Sequence, residues 1–147
     1  NPDNAFLVRL ALTTAMRRSE LLELNWEDID LEHCIAHLRR KGSAASGSRQ
    51  SYRLVPLSAA TLELLQAKAK ICGRIIKTTN CGARAAFERS KKEAGLDGLR
   101  FHDLRHIAIS RLWMEGYSAL EISAASGHKD LKMLMRYSHY SPKSWSR

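Results

Sequence analysis

Apolar side chains recur at intervals of three and four along most of this chain, with one central stretch where they alternate instead. Phe6, Leu7, Leu10, Ala11 and Thr14 share one helical face, and Asp3 or Asn4 stands where a cap would open that helix. A short apolar turn, Leu21-Leu22-Glu23-Leu24, follows the polar run Arg17-Arg18-Ser19-Glu20. Ile35-Ala36-His37-Leu38 alternates and predicts a strand. Arg53-Leu54-Val55-Pro56 predicts its return partner, with Pro56 ending the pairing because proline has no amide hydrogen. The segment between them, Arg39 to Gln50, is basic and rich in Gly and Ser, too polar for a core, and reads as a hairpin tip.

Helical spacing then resumes. Ser58 is placed to cap a helix with the stripe Leu62, Leu65, Ala69 and Cys72. After a weakly patterned stretch over 73–81, Ala83, Ala86, Phe87, Ser90 and Ala94 mark another helix, stopped by Gly95. Phe101-His102-Asp103-Leu104-Arg105-His106 opens a helix that runs to Glu115 and Gly116. Ser118-Ala119-Leu120-Glu121 is a capping box for the next, which ends at Gly127 and leaves His128 in the turn. A last helix begins near Asp130 with the stripe Leu131, Leu134 and Met135, and stops at Ser141-Pro142. Trp26, Phe87 and Trp113 are most simply core aromatics. The pattern predicts an α+β domain, mainly helical, with one small antiparallel sheet.

Composition narrows the function. At 147 residues the chain is expected to be one domain over 1–147, and a start without Met suggests a domain excised from a longer protein. A net charge of +9 and a pI near 9.8 call for a polyanionic partner. Nucleic acid fits better than a membrane surface, because the basic residues are spread along the chain rather than gathered on one amphipathic helix, and no apolar run has the length of a membrane span. Cys34, Cys72 and Cys81 form no CxxC pair and read as reduced thiols of a cytoplasmic protein.

Breaking a phosphodiester without a metal requires cations on its nonbridging oxygens, an in-line nucleophile and a proton for the leaving oxygen. Arginine suits the first task, because its planar fork grips two oxygens and keeps its charge. Tyr or Ser can attack, and Lys or His can protonate. The chain offers Arg17, Lys41, His102, Arg105, His128 and Tyr137 for these tasks, with no Asp/Glu cluster at metal-ligand spacing and no HExxH helix, so no metal or cofactor is expected. His102 and Arg105, three apart, lie on one helix face.

Several boxes in order sharpen this reading. Thr14-Ala15-Met16-Arg17-Arg18-Ser19-Glu20-Leu21 resembles the T-G-x-R-x-x-E-L box of the tyrosine recombinases, the phage-integrase family. Trp26-Glu27-Asp28-Ile29-Asp30 resembles the W-x-D-I-D that follows it. Lys41-Gly42 precedes Arg53-Leu54-Val55-Pro56-Leu57 as the family's hairpin lysine precedes its R-x-V-P-L strand. Gly98 to His106 resembles the second box, Ser126-Gly127-His128 the L-G-H turn, and Met135 to Pro142 the final M-x-R-Y-x-H-x-S-P box.

The resemblance implies a mainly helical catalytic domain with a small sheet that clamps one face of duplex DNA. Arg17 and Arg105 would bind the scissile phosphate, with His128 hydrogen-bonding it and His102 acting as donor or base. Lys41 would protonate the leaving 5′ hydroxyl, and Tyr137 would attack to give a 3′-phosphotyrosyl link. Arg18, Arg39, Arg40, Arg49, Arg53 and Lys129 are candidate phosphate contacts. Asp103 reads as a cap for its own helix, His106 as a packing or supporting histidine, and Glu20 as an orienter of Arg17.

The resemblance further implies a bacterial or phage-encoded cytoplasmic protein without membrane association. Its parent would carry a separate N-terminal DNA-binding domain and work as a synaptic homotetramer, the isolated domain being monomeric. Ala15 stands where the family usually has Gly, Ser126 where it has Leu, and Ile107 where it has Thr. Two rival classes are a cleavage-deficient, integrase-like DNA-binding module and a general basic RNA-binding domain. Presence of all six candidate catalytic groups weighs against the first, and lack of aromatic stacking boxes against the second.

Overall fold

In a computed structural model, residues 2–39, 52–68 and 72–138 are described. The first helix, α1 (Pro2–Thr14), buries Leu7, Leu10, Ala11 and Thr14, the expected face. It begins at Pro2, so Asp3 and Asn4 lie inside its first turn rather than capping it; proline is well suited to a first helical position because its missing amide hydrogen would find no partner there. Asp3 instead pairs with Lys68 at 2.8 Å, and buried Asn4 donates to Ser90 Oγ at 3.1 Å.

Beyond α1 the chain reverses at Ala15, whose φ is +54°. A side chain in this left-handed conformation costs about 1–2 kcal/mol, which explains why glycine suits the position. The turn leads through Met16 and Arg17 into α2 (Arg18–Glu23), which buries Leu21 and Leu22.

Three antiparallel strands follow, β1 (Ile29–Asp30), β2 (Ile35–Arg39) and β3 (Tyr52–Pro56), in the spatial order β1-β2-β3. Ile35 pairs with Pro56, His37 with Leu54 and Arg39 with Tyr52, so Pro56 does end the ladder. Ala36, Leu38 and Val55 point into the core. Two-residue β1 is too short to alternate, and the sequence pattern gave no sign of it.

The next helix, α3 (Ala59–Ala67), is capped by Ser58, whose Oγ accepts from the Thr61 amide at 3.3 Å. It buries Thr61 and Leu65. The predicted stripe does not continue: the helix ends at Ala67, Cys72 is exposed, and Ala69 lies outside the described residues. The weakly patterned stretch that follows is core. Its backbone bonds to the segment before β1, Trp26 N to Gly73 O at 3.0 Å and Ile75 N to Leu24 O at 3.1 Å, which buries Ile75 and Ile76.

Four helices complete the domain: α4 (Asn80–Glu93), α5 (Phe101–Met114), α6 (Ala119–Ser126) and α7 (Leu131–Met135). The main core lies among α1, the sheet, α3 and α4 and includes Trp26 and Phe87. A second cluster of Ala15, Ala108, Ile109, Trp113, Ile122 and Leu134 joins the α1–α2 turn to α5, α6 and α7. The final helix is shorter than expected. Of its predicted stripe only Leu134 is buried, while Leu131 and Met135 are 40% and 55% exposed. After Met135 the chain turns, and the Tyr137 amide bonds back to Leu134 O at 2.9 Å.

Candidate active site

Arg17 immediately precedes α2, and Glu20 fixes it there. One Glu20 carboxylate oxygen accepts from the Arg17 amide at 2.8 Å; the other lies 3.2 Å from Arg17 Nη1 and 2.7 Å from Arg53 Nη2. Burial pushes the Glu20 carboxyl up, but the Arg17 amide and the guanidiniums of Arg53 and Arg17 outweigh it and hold the group below the ordinary carboxylate range.

Arg53, a candidate phosphate contact, is held by partners within the protein. Its side chain is only 11% exposed. Besides Glu20, it reaches the last turn of α6, donating to the carbonyls of Ala124 at 3.1 Å and Ala125 at 2.6 Å. Gly127, at φ +72°, packs directly on this guanidinium; a Cβ there would fall 2.7 Å from Arg53 Cζ. Arg53 therefore ties the turn that carries His128 to the turn that carries Arg17. Orphan carbonyls at a helix C-terminus attract such a cation.

On α5, Asp103 accepts from the Arg100 amide at 2.8 Å and pairs with the Arg100 guanidinium at 3.0 Å, so it caps its own helix as expected. His102, Arg105 and His106 share one face at spacings of three and four. The two imidazoles meet edge to face, centroids 4.8 Å apart. Arg105 is only 3% exposed. Its Nη1 donates to the Ala15 carbonyl at 2.8 Å, and its Nη2 lies 3.4 Å from His128 Nδ1. Among the described residues it hydrogen-bonds no carboxylate. Burial first, then the nearby Arg17 charge, lower its pKa to about 10, which leaves it charged at neutral pH.

His128 follows Gly127 and accepts the Ser126 hydroxyl at Nδ1, 2.8 Å away, while Ser123 Oγ donates to its carbonyl at 2.7 Å. A guanidinium can only donate, so the Nδ1 facing Arg105 carries a lone pair and the ring proton sits on Nε2. Burial, then Arg105 and Arg17, push the imidazole down to about 4. His102 is displaced the same way, first by burial and then by His106 and Arg105.

This carries a pH prediction. An unfolded histidine titrates near 6.5, so between that value and about 4 the unfolded chain takes up a proton that folded His128 refuses. Stability is full above this window and is lost as pH falls through it. Denaturant melts of the DNA-free protein are expected to weaken from pH 6.5 to 4, and His128→Asn to flatten part of that slope. An unchanged slope in the variant would mean that His128 is not buried beside these cations.

Tyr137 sits in the turn after α7, half-buried against the second core cluster. Its ring stacks on His106 with centroids 6.0 Å apart and planes 25° apart, and its hydroxyl hydrogen-bonds His106 Nδ1. Burial raises the phenol above its ordinary range.

Arg17, His102, Arg105, His128 and Tyr137 thus come from four separate segments, α5 supplying two of them, to one place, which two clefts flank. One, of about 1040 Å³, runs between β2, β3 and the α6–α7 turn; Arg39 and Lys129 are exposed on its walls, as is Arg74. The other, of about 440 Å³, is lined by Arg18, whose guanidinium lies 5.7 Å from the Phe101 ring centre, and by Arg84. Lys41, Arg40 and Arg49 lie outside the described residues. Arg74 and Arg84 are cleft residues that the sequence pattern did not single out, and His106 was expected only in a packing or supporting part. Arg74 lies in the weakly patterned stretch and Arg84 on the polar face of α4, so neither carried a signal. His106 stood beside Arg105, and only the position of Tyr137 reveals its partner.

The sequence profile of the phage integrase family matches residues 2–144. The chain belongs to the phage integrase family. It is 40% identical over 135 residues to the shufflon-specific DNA recombinase of Escherichia coli, covering 90% of this chain and 34% of that protein. The integrase of Escherichia phage 186 is 32% identical over 142 residues, covering 97% of this chain and 39% of that protein. The chain therefore spans little more than a third of the length of these relatives. Among solved structures, the catalytic domain of bacteriophage HP1 integrase superposes with a TM-score of 0.75 at 28% identity, covering 97% of this chain and 78% of that one. The family's fold, mainly helical with a small three-stranded antiparallel sheet, is the fold seen here. No helix among the described residues is long and apolar enough to cross a membrane.

Proposed function

We propose that this chain is the catalytic domain of a site-specific DNA recombinase that cleaves and rejoins duplex DNA through a 3′-phosphotyrosyl link, without metal or ATP. The observation that carries this reading is buried Arg105, which among the described residues bonds a carbonyl and an imidazole and no carboxylate. A desolvated cation beside Arg17 and a neutral His128 is an arrangement that an anion completes. Arg105 and Arg17 bind the nonbridging oxygens of the scissile phosphate, and His128 Nε2–H donates a further hydrogen bond. Tyr137 attacks phosphorus, and Lys41 protonates the departing 5′ oxygen. The phosphotyrosyl bond keeps the energy of the phosphodiester, so rejoining to another strand needs no external energy source.

Duplex DNA is the partner, held along both clefts by Arg39, Lys129, Arg74, Arg18 and Arg84, with Arg40 and Arg49 beyond the end of β2. Relatives named as a shufflon-specific DNA recombinase and as an integrase support the reading. The full-length protein acts as a synaptic homotetramer in a bacterial or phage-infected cytoplasm. The cleavage-deficient alternative is disfavoured because each described catalytic group is present and gathered at one point.

Two measurements test this. Binding to duplex DNA is expected to weaken steeply with salt, the slope of log K against log salt changing by roughly −0.9 per neutralised phosphate. Incubation with nicked duplex is expected to give a covalent adduct that EDTA leaves unchanged. Affinity independent of salt, or an adduct lost with EDTA, would refute the proposal.

A further inference from the structure

A phenol attacks phosphorus only as its proton leaves, and that proton needs an acceptor. Burial raises the Tyr137 phenol, so the need is greater here than in water. Arg17 and Arg105 can only donate. Nδ1 of His128 is already taken by Ser126 and Arg105, which leaves it a donor at Nε2. His102 touches the edge of the His106 ring. Among the described residues, the group that meets the Tyr137 hydroxyl is Nδ1 of His106. The remaining titratable neighbours of His106 among the described residues are His102 and Asp103 on α5 and His128 from the turn after α6.

We propose that His106, rather than His102, is the general base of DNA cleavage, its Nδ1 taking the phenolic proton of Tyr137 as the phenol oxygen bonds to phosphorus. In this step the Tyr137 O–H bond breaks and an Nδ1–H bond forms, giving an imidazolium. The bond from the phenol oxygen to phosphorus forms as the bond from phosphorus to the 5′ oxygen breaks, and the 5′ oxygen takes its proton from a separate donor. On rejoining, the 5′ hydroxyl returns its proton to that separate donor as its oxygen bonds to phosphorus, and the bond from phosphorus to the phenol oxygen breaks as that oxygen recovers the proton from Nδ1. The stacked ring geometry holds the two groups in register before any DNA binds. The inference rests on Tyr137 being the nucleophile.

The test uses the protein that carries this chain and a nicked duplex selected from a randomised pool by covalent capture on the unsubstituted protein. His106→Asn keeps a polar partner near the hydroxyl but has no basic nitrogen. At pH 7 it is expected to lose about 100-fold in single-turnover cleavage, with DNA affinity unchanged, and the loss is expected to shrink as pH rises towards 9.5 and solvent hydroxide takes over. A loss of the same size at every pH, or cleavage at the parent rate, would overturn the base assignment. A duplex with sulfur in place of the 5′ bridging oxygen has a leaving group that needs no proton. It is expected not to rescue His106→Asn; rescue would make His106 the acid instead. Tyr137→Phe runs alongside. If that variant still forms the adduct, the nucleophile itself is misassigned. If it forms none while His106→Asn cleaves normally, only the role of His106 falls.

Discussion

Tyr137→Phe is expected to bind duplex DNA as the parent does and to form no covalent adduct. The substitution removes one oxygen, the one that would bond to phosphorus. It also removes the hydrogen bond to His106, a loss of about 0.5–1.5 kcal/mol that a folded domain tolerates. The ring keeps its place against Leu134 and the second core cluster, so the clefts that hold DNA are undisturbed. Denaturing electrophoresis with a labelled nicked duplex reads the outcome directly, and peptide mapping of the parent adduct locates the bond. The neighbouring Tyr140, outside the described residues, is the internal comparison: Tyr140→Phe is expected to retain most of the adduct. An adduct that survives Tyr137→Phe and vanishes with Tyr140→Phe would reverse the assignment, and survival in both would remove tyrosine from the mechanism at these positions.

Arg17→Ala and Arg105→Lys are each expected to slow single-turnover cleavage by at least about 100-fold, the usual cost of losing one transition-state donor. The two changes probe different things. Arg17 is half exposed at 49%, and Glu20 keeps Arg53 as a partner, so the fold should survive its truncation. Arg105 is buried, and alanine would leave both a cavity and an unbonded Ala15 carbonyl, so lysine is the better probe. It retains the charge and loses the fork, which separates bidentate grip from simple attraction. Rates are compared at saturating DNA, with thermal melts to exclude unfolding. Parent-like cleavage by both variants would mean that the phosphate does not sit between these arginines.

Arg53 illustrates where sequence reasoning ends. In the sequence it is one candidate phosphate contact among several. In the folded chain it spans from Glu20 to the α6 carbonyls, a path that joins residues 20, 53 and 124–125. Nothing local to Arg53 announces partners so distant along the chain. The last helix is a second case. Leu131, Leu134 and Met135 have helical spacing, but the period cannot tell that the helix stops at Met135 or that α6 covers only Leu134. Ile75 and Ile76 are a third, since two adjacent apolar residues have no period and their burial follows from long-range backbone bonds.

What the sequence determined by itself was what depends on neighbours a few residues away. Caps at Ser58 and Ser118, stops at Gly95, Gly116 and Gly127, the alternation of β2 and β3 and the face shared by His102, Arg105 and His106 all follow from local backbone and side-chain chemistry. The ordered boxes also named the family. Only the tertiary structure decided which lone pairs and protons face each other. It buried Arg105 against the Ala15 carbonyl, set Nδ1 of His128 beside the Arg105 guanidinium, and brought His106 to the Tyr137 hydroxyl. Those contacts arise because the α1–α2 turn, α5, α6 and α7 pack around one small apolar cluster, and such packing is a property of the whole chain that no local pattern encodes.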